Sequence, residues 1–243
     1  MRVQFLGSGD AFGSGGRMQA CILLDSGASR FLLDCGASSL IALKRAGIDP
    51  NEIDALLISH LHGDHFGGVP FLLLDGQFSK RTRPLLVAGP PGLERRVLEA
   101  MEVLFPGSSR AQRKFATQFC ELAEGAPTQI REARVTGYEV VHACGAPPYA
   151  LRVEVADRTI AYSGDTEWTD RLLSAASGAD LFIAEAYFFE KPVRFHLEWA
   201  ALARRREALG AKRLIVTHMG PDMLARVSEL PVEAAYDGLE LTL

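Results

Sequence analysis

Residues 59–68 read Ser-His-Leu-His-Gly-Asp-His-Phe-Gly-Gly (SHLHGDHFGG), with three of the chain's six histidines and an aspartate inside six positions. They follow directly on the apolar run Ala55–Ser59 (ALLIS), which reads as a buried strand. One histidine in such a loop would be an ordinary hydrogen-bonding residue. Three imidazoles and a carboxylate crowded together are potential ligands for zinc and similar divalent ions, and they form a cluster to be weighed against the rest of the chain.

Composition limits the alternatives. A chain of 243 residues with 48% hydrophobic content is suited to one domain, 1–243, with a sizeable core. The net charge of −4 argues against a protein that lives on polyanions, because nucleic-acid binding draws much of its free energy from Lys and Arg neutralising phosphates. The basic runs at 79–83, 110–114 and 204–206 read as solvated faces. The start, MRVQFLGSG, is a short strand running into glycines and not a signal peptide, and no apolar run reaches membrane-spanning length, so a cytoplasmic setting is expected. Cys21, Cys35, Cys120 and Cys144 show no CxxC spacing and read as small buried thiols.

The pattern along the chain predicts strands at 2–7, 20–25, 30–34, 54–59 and 84–88, with helices over 38–46 and from about residue 90. A polar, mixed region runs on to about residue 127. The second half predicts strands near 128–135, 137–142, 149–155, 158–163, 180–185 and 213–217. Helices are expected at 168–176, 197–209 and 221–228, with a closing hairpin around YDGLEL. Strands come first in meanders and then alternate with helices in each half, which points to two mixed sheets packed face to face with helices outside. His142 in EVVHAC, Asp165 in SGDT and His218 in THMG are each placed at the C-terminal end of a strand. With His60, His62 and His65, five of the six histidines then lie at strand ends.

HxHxDH at 60–65, the downstream His142, Asp165 in SGDT, the late His218 in THMG and Asp34 in LLDCG together resemble the five motifs of the metallo-β-lactamase-fold hydrolases. The resemblance covers almost the whole chain and implies the αββα sandwich with its site in the cleft between the sheet edges. Carried onto these positions, it implies two divalent metal ions per chain, with zinc as first choice and manganese or iron admitted. One ion would take His60, His62 and His142, and the other Asp64, His65 and His218. Asp165 would bridge them, since a carboxylate has two oxygens, and the pair would make a shared hydroxide available near neutral pH. Asp34 is expected to orient the ligand loop through hydrogen bonds.

The fold leaves the substrate open. His196 opens the segment HLEWAALARRREALGAKRLIVTH, which is similar to the corresponding segment of the RNase Z-like and phosphonate-pathway cyclic phosphodiesterase branch. There it implies a transition-state partner beside the metals, with Glu185 as the carboxylate that holds its ring. The expected catalytic set is therefore Asp64, His196 and Glu185. The tRNA-processing members carry a long gripping arm between the equivalents of His142 and Asp165, and positions 143–164 leave no room for one. Nor is there a counterpart of the cyclic phosphodiesterases' cysteine-bearing extra zinc site. The resulting expectation is a dinuclear phosphodiesterase for a small anionic cyclic or linear substrate, with no efficient tRNA binding. A carboxylic ester, lactone or β-lactam hydrolase, or an armless RNase Z-like nuclease, are the alternatives. Residues 66–83, with Phe71 and Phe78, and 186–195, with Phe188, Phe189, Lys191 and Arg194, are expected to shape the pocket or to cover a homodimer interface.

Overall fold

Side-chain alternation along the strands decides the layering. Ile22 and Leu24 face one core and Cys21 and Leu23 the other; Phe31 and Leu33 join the first pair, and Leu32 the second. A sheet apolar on both faces must be covered on both. The computed structural model describes all 243 residues and shows how. The first sheet runs β14 (Glu240–Thr242), β1 (Arg2–Gly7), β2 (Cys21–Asp25), β3 (Arg30–Leu33), β4 (Ala55–Leu57), β5 (Leu85–Gly89), β6 (Thr117–Glu121). The second runs β13 (Glu233–Ala234), β12 (Leu214–Thr217), β11 (Leu181–Glu185), β10 (Arg158–Tyr162), β9 (Tyr149–Val155), β8 (Ala133–Glu139), β7 (Thr128–Ile130).

Between the sheets lies one shared core, in which Val3, Phe5 and Leu57 meet Val135, Leu151, Tyr162 and Ile183. Helices α1 (Ser39–Arg45), α3 (Val69–Phe78) and α4 (Leu93–Leu104) pack Leu43, Leu72, Val97 and Met101 onto the outer face of the first sheet. Helices α5 (Arg171–Ala176), α6 (Trp199–Arg204) and α8 (Pro221–Ala225) cover the second with Leu172, Leu202 and Met223. This is the four-layer αββα sandwich. No helix is long and apolar enough to cross a membrane.

Five local expectations are corrected. The helix over 197–209 is broken at Arg205 into α6 and α7 (Arg206–Leu209), and the strands expected at 128–135 and 137–142 are β7 and β8, joined at Arg131, which has φ +54. His142 therefore lies past the end of β8 in a loop. The polar region before residue 127 contains β6, an edge strand made only of half-buried and exposed residues, which therefore lacks an apolar signature. YDGLEL is not a hairpin: β13 pairs with β12 in one sheet and β14 with β1 in the other, so the chain crosses between sheets there. Residues 69–78, expected as pocket wall, form α3.

Candidate active site

The histidine loop is shaped by its own backbone. Past β4 the chain delivers His60 fully buried, and His62 in extended conformation caps the short helix α2 (Gly63–Phe66), its carbonyl accepting the amides of His65 and Phe66 at 3.0 Å each. That turn puts Asp64 and His65 side by side, with His65 Nε2 3.2 Å from Asp64 Oδ2. The loop is pressed onto the turn at Asp34–Gly36: the Cys35 amide donates to the His65 carbonyl at 2.6 Å, and the Gly68 amide to Cys35 at 2.8 Å. A Cβ on Gly68 would lie 2.2 Å from the Gly36 carbonyl oxygen, and one on Gly36 2.2 Å from that of Asp64. Only hydrogen fits at either position.

The second sheet supplies the opposing residues. Strands β10, β11 and β12 run parallel, so their carboxyl ends open on one edge. Asp165 follows β10, Glu185 ends β11 in register with Thr217, and His218 comes next after Thr217. Three non-glycine residues with left-handed backbone cluster here: Asp34 (φ +59), Phe195 (φ +72) and His218 (φ +56). Aspartate and histidine tolerate this region, whereas for a phenylalanine it is an outlier held by its surroundings. At Phe195 the carbonyl is thereby aimed at His142 Nδ1, 2.8 Å away.

Two groups of potential ligand atoms face each other: His60, His62 and His142 present theirs within 4.8 Å of one another, and so do Asp64, His65, Asp165 and His218, while Asp165, Glu185, His196 and His218 form a third, overlapping group at the edge. Asp165 stands between the groups: its Oδ1 is 3.2 Å from His65 Nε2, and its Oδ2 is 3.2 Å from His218 Nε2 and 3.9 Å from His60 Nε2. His65 donates from Nδ1 to Asp34 Oδ2 at 2.6 Å, and His142 from Nδ1 to the Phe195 carbonyl, which turns each Nε2 inward. His142 Nε2 and His62 Nδ1 face each other at 3.0 Å. His60 Nε2, His65 Nε2 and Asp165 Oδ1 are buried without a hydrogen bond of good geometry. Buried lone pairs with no donor are costly unless something electrophilic meets them. The donor set thus fits divalent cations.

Protonation agrees with that fit. Burial, reinforced by neighbouring His65, holds His60 well below the usual imidazole range, and burial lowers His142 and His218 too, keeping all three in the neutral, ligating form. His65 goes the other way, since Asp165, Asp34 and Asp64 outweigh its burial and raise it well above the usual value. Three carboxylates around one imidazole mark a place where positive charge belongs. Asp34 also accepts the Ser59 amide at 2.7 Å and hydroxyl at 2.8 Å, which ties the start of the histidine loop to the same carboxylate.

His196 stands at the edge of this centre on a different support. Its Nδ1 is 3.0 Å from Glu185 Oε2, and the other Glu185 oxygen accepts the Thr166 amide. Both carboxylate oxygens are thus engaged by donors, so Glu185, although it shares a group with Asp165, His196 and His218, is already occupied by His196 and Thr166. Burial, the largest influence, and nearby Asp165 push Glu185 up to about 8. Burial alone would lower His196, but the hydrogen bond and charge of Glu185, with Asp165 and Asp64 behind, raise it to about 9. The ring lies nearly parallel to that of His218, at 10° and 6.1 Å between centroids.

A cavity of about 520 Å³ opens above Asp64, Asp165 and His218, with His196 in its wall. Its apolar rim departs from expectation. Phe78 is 82% exposed elsewhere, and Phe71 packs edge-on against Phe105 at 5.4 Å, so neither lines it. From the second expected segment Phe188 and Lys191 do line it. Phe189 is buried under Arg226, and Arg194 sits on the Phe195 ring. The residue that sequence reasoning missed is Phe12, from the glycine-rich loop after β1. Its signal, an aromatic inside GSGDAFGSGG, is legible only once the fold brings residue 12 to residue 196.

A match to the Anti-Pycsar protein Apyc1 family spans residues 1–230. The chain belongs to that family. It is 28% identical to a Ribonuclease Z of Methanothermobacter thermautotrophicus, over 100% of this chain and 93% of the relative. Human tRNase Z, short form, superposes with a TM-score of 0.81 at 25% identity, covering 100% of this chain and 99% of that one. The metallo-β-lactamase fold protein YhfI of Bacillus subtilis superposes at 0.79 with 20% identity, covering 99% and 98%, a likeness of fold. The sandwich is a metallo-β-lactamase fold of the RNase Z-like branch.

Proposed function

We propose that this single domain is a dinuclear metal-dependent phosphodiesterase that hydrolyses a small anionic phosphodiester, cyclic or linear. The observation that carries the reading is the pair of ligand groups meeting at Asp165, with the Glu185-held His196 beside them. His60, His62 and His142 would hold one ion and Asp64, His65 and His218 the other, with Asp165 shared. The ions, zinc first by the histidine-rich set, supply an activated water and neutralise charge on the phosphoryl oxygens.

The chain's own residues do the rest. Nδ1 of His196 is committed to Glu185, so Nε2 is the nitrogen free to meet substrate in the cavity. A proton at that atom can be given to the departing oxygen, a contribution of about 10²–10⁴-fold in general-acid catalysis. Asp34 fixes the ring of His65 and the start of its loop, acting through other residues without touching substrate.

A small substrate is favoured over tRNA by the connection from His142 to Asp165. Residues 149–155 and 158–162 are β9 and β10, joined by a turn at Ala156 and Asp157, and no arm projects from that connection. The four free thiols support the reading of a reducing, cytoplasmic setting. The exposed Phe78, Val103 and Leu104 support a homodimer, which sedimentation would detect.

The test is a substrate panel on metal-stripped protein with zinc or manganese added back: bis(p-nitrophenyl) phosphate, a lactone and a chromogenic β-lactam. Metal-dependent turnover of the phosphodiester above the others is the expected result. Turnover of the lactone or lactam alone would replace the proposal with an acyl-hydrolase reading.

A further inference from the structure

Phe12 is 86% exposed, an unusual condition for a phenylalanine, and it lies on the rim of the cavity that holds Asp165 and His196. The exposure is not that of a slack loop. Asp10, fully buried, accepts the amides of Phe12 at 3.3 Å and Ser14 at 2.8 Å, and the Ser14 hydroxyl at 2.7 Å. Gln19 Nε2 donates to the Ala11 carbonyl at 3.1 Å. Asp237 closes both ends of the loop, accepting the Ser8 amide at 2.9 Å and the Met18 amide at 2.7 Å. The backbone that carries the ring is therefore held in place, with the ring on its outer side.

The rest of the rim is largely apolar. Ala11, Tyr187, Phe188 and Val193 complete it, and Lys191 is the one charged side chain above the metal-ligand level, its Nζ 5.5 Å from the Phe188 ring centre. Phe188 meets Tyr187 edge-on at 4.8 Å, which fixes its plane. Above the ligand level a sugar or a polar chain would find only Tyr187 and Lys191 as hydrogen-bond partners on such walls. A flat aromatic group finds two phenyl rings to stack on, while Lys191 favours a substrate that carries negative charge.

Resting on the phosphodiesterase reading above, we propose that Phe12 is a specificity-determining residue whose ring stacks on a planar aromatic substituent of the phosphodiester. Stacking on one aromatic side chain changes affinity by roughly 10-fold or more. Burying a pre-placed ring costs little ordering, so the gain falls on substrate binding.

The experiment is calorimetric binding to the zinc-loaded protein of two phosphonates that share a head group, 1-naphthylmethylphosphonate and methylphosphonate. The wild type is expected to prefer the naphthyl compound by about 10-fold or more. Phe12→Ala should remove most of that preference and leave methylphosphonate affinity within about twofold, whereas Phe12→Trp should keep it. No preference in the wild type, a preference unchanged in Phe12→Ala, or equal weakening of both ligands would each overturn the proposal. So would a Phe12→Ala variant that changes only sedimentation, since Phe12 would then be covered by a second copy. If the naphthyl preference depends on Phe12 but bis(p-nitrophenyl) phosphate is not hydrolysed, the aromatic subsite stands and the phosphodiesterase reading fails.

Discussion

Nδ1 of His196 lies 3.0 Å from Oε2 of Glu185, a carboxylate with no exposed surface whose other oxygen accepts the amide of Thr166. The imidazole thus has one nitrogen committed inward and one available to the cavity. A partner so buried gives the ring a single orientation, which is what a proton donor to a departing group needs.

His196→Ala is expected to retain both metal ions, because it removes none of the seven proposed ligands. Alkyl phosphodiesters, which leave as strongly basic alkoxides, should lose about 10²–10⁴-fold in rate, and nitrophenyl esters much less. Measured at equal metal occupancy, kcat should fall more than KM rises. Equal losses for both leaving groups would instead assign His196 to binding of the phosphoryl oxygens.

Glu185→Gln should act through His196. The amide offers only one acceptor where the carboxylate serves two donors, so either the Thr166 amide or His196 loses its partner. The variant should show the same dependence on leaving group as His196→Ala, and the double variant should be little worse than the single ones. Additive losses would mean that Glu185 has a separate role.

Metal content tests the centre itself. Reconstituted wild type is expected to bind two ions per chain by elemental analysis, and Asp165→Ala fewer, because Asp165 faces both ligand groups. A wild type that never exceeds one ion per chain would sink the dinuclear proposal.

Asp34→Ala should destabilise the protein even without metal. It strips acceptors from the His65 ring and from the Ser59 amide and hydroxyl, all buried, at about 1–3 kcal/mol for each donor left unpaired. Metal affinity should also fall about 10–100-fold as the His65 ring loses its anchor. Thermal denaturation of the apoprotein and a zinc titration would check the two effects separately.

Two glycines in the same loop should respond in opposite ways. Gly68→Ala places a methyl 2.2 Å from the Gly36 carbonyl oxygen and should cost about 1–3 kcal/mol or more as the loop is forced away, with metal binding impaired. Gly63 has nothing within 4 Å of its Cβ position, so Gly63→Ala should be neutral or stabilising by about 0.4–1 kcal/mol. Denaturant melts of the pair would separate the two effects.

The sequence by itself determined most of the ligand set and the layer plan. His60, His62, Asp64 and His65 lie within six positions, so their clustering needs no fold to be seen, and the apolar runs of β2 and β3 read as strands, whose burial on both faces the structure then shows. Asp165 and His218 could be placed because parallel strands open their carboxyl ends on one edge. Resemblance to known hydrolases then joined the separate motifs. Where periodicity carried no signal the reading failed. The helix α3 is rich in apolar residues, with Val69, Pro70, Leu72 and Leu73 all buried, so it showed no polar face to mark it as a helix. At the other extreme, β6 is too polar to read as a strand.

Tertiary structure alone decided what touches what. Asp237 holds the loop that carries Phe12, the crossing after β13 sends β14 to the first sheet, and the Phe195 carbonyl is aimed at His142 by a left-handed backbone. Each of these contacts spans dozens to hundreds of residues and depends on where the two sheets meet. A local pattern records which face of an element is apolar, because burial acts on every residue of that face. It holds no record of which distant backbone group will satisfy a given carboxylate, because that pairing exists only after the sheets have packed.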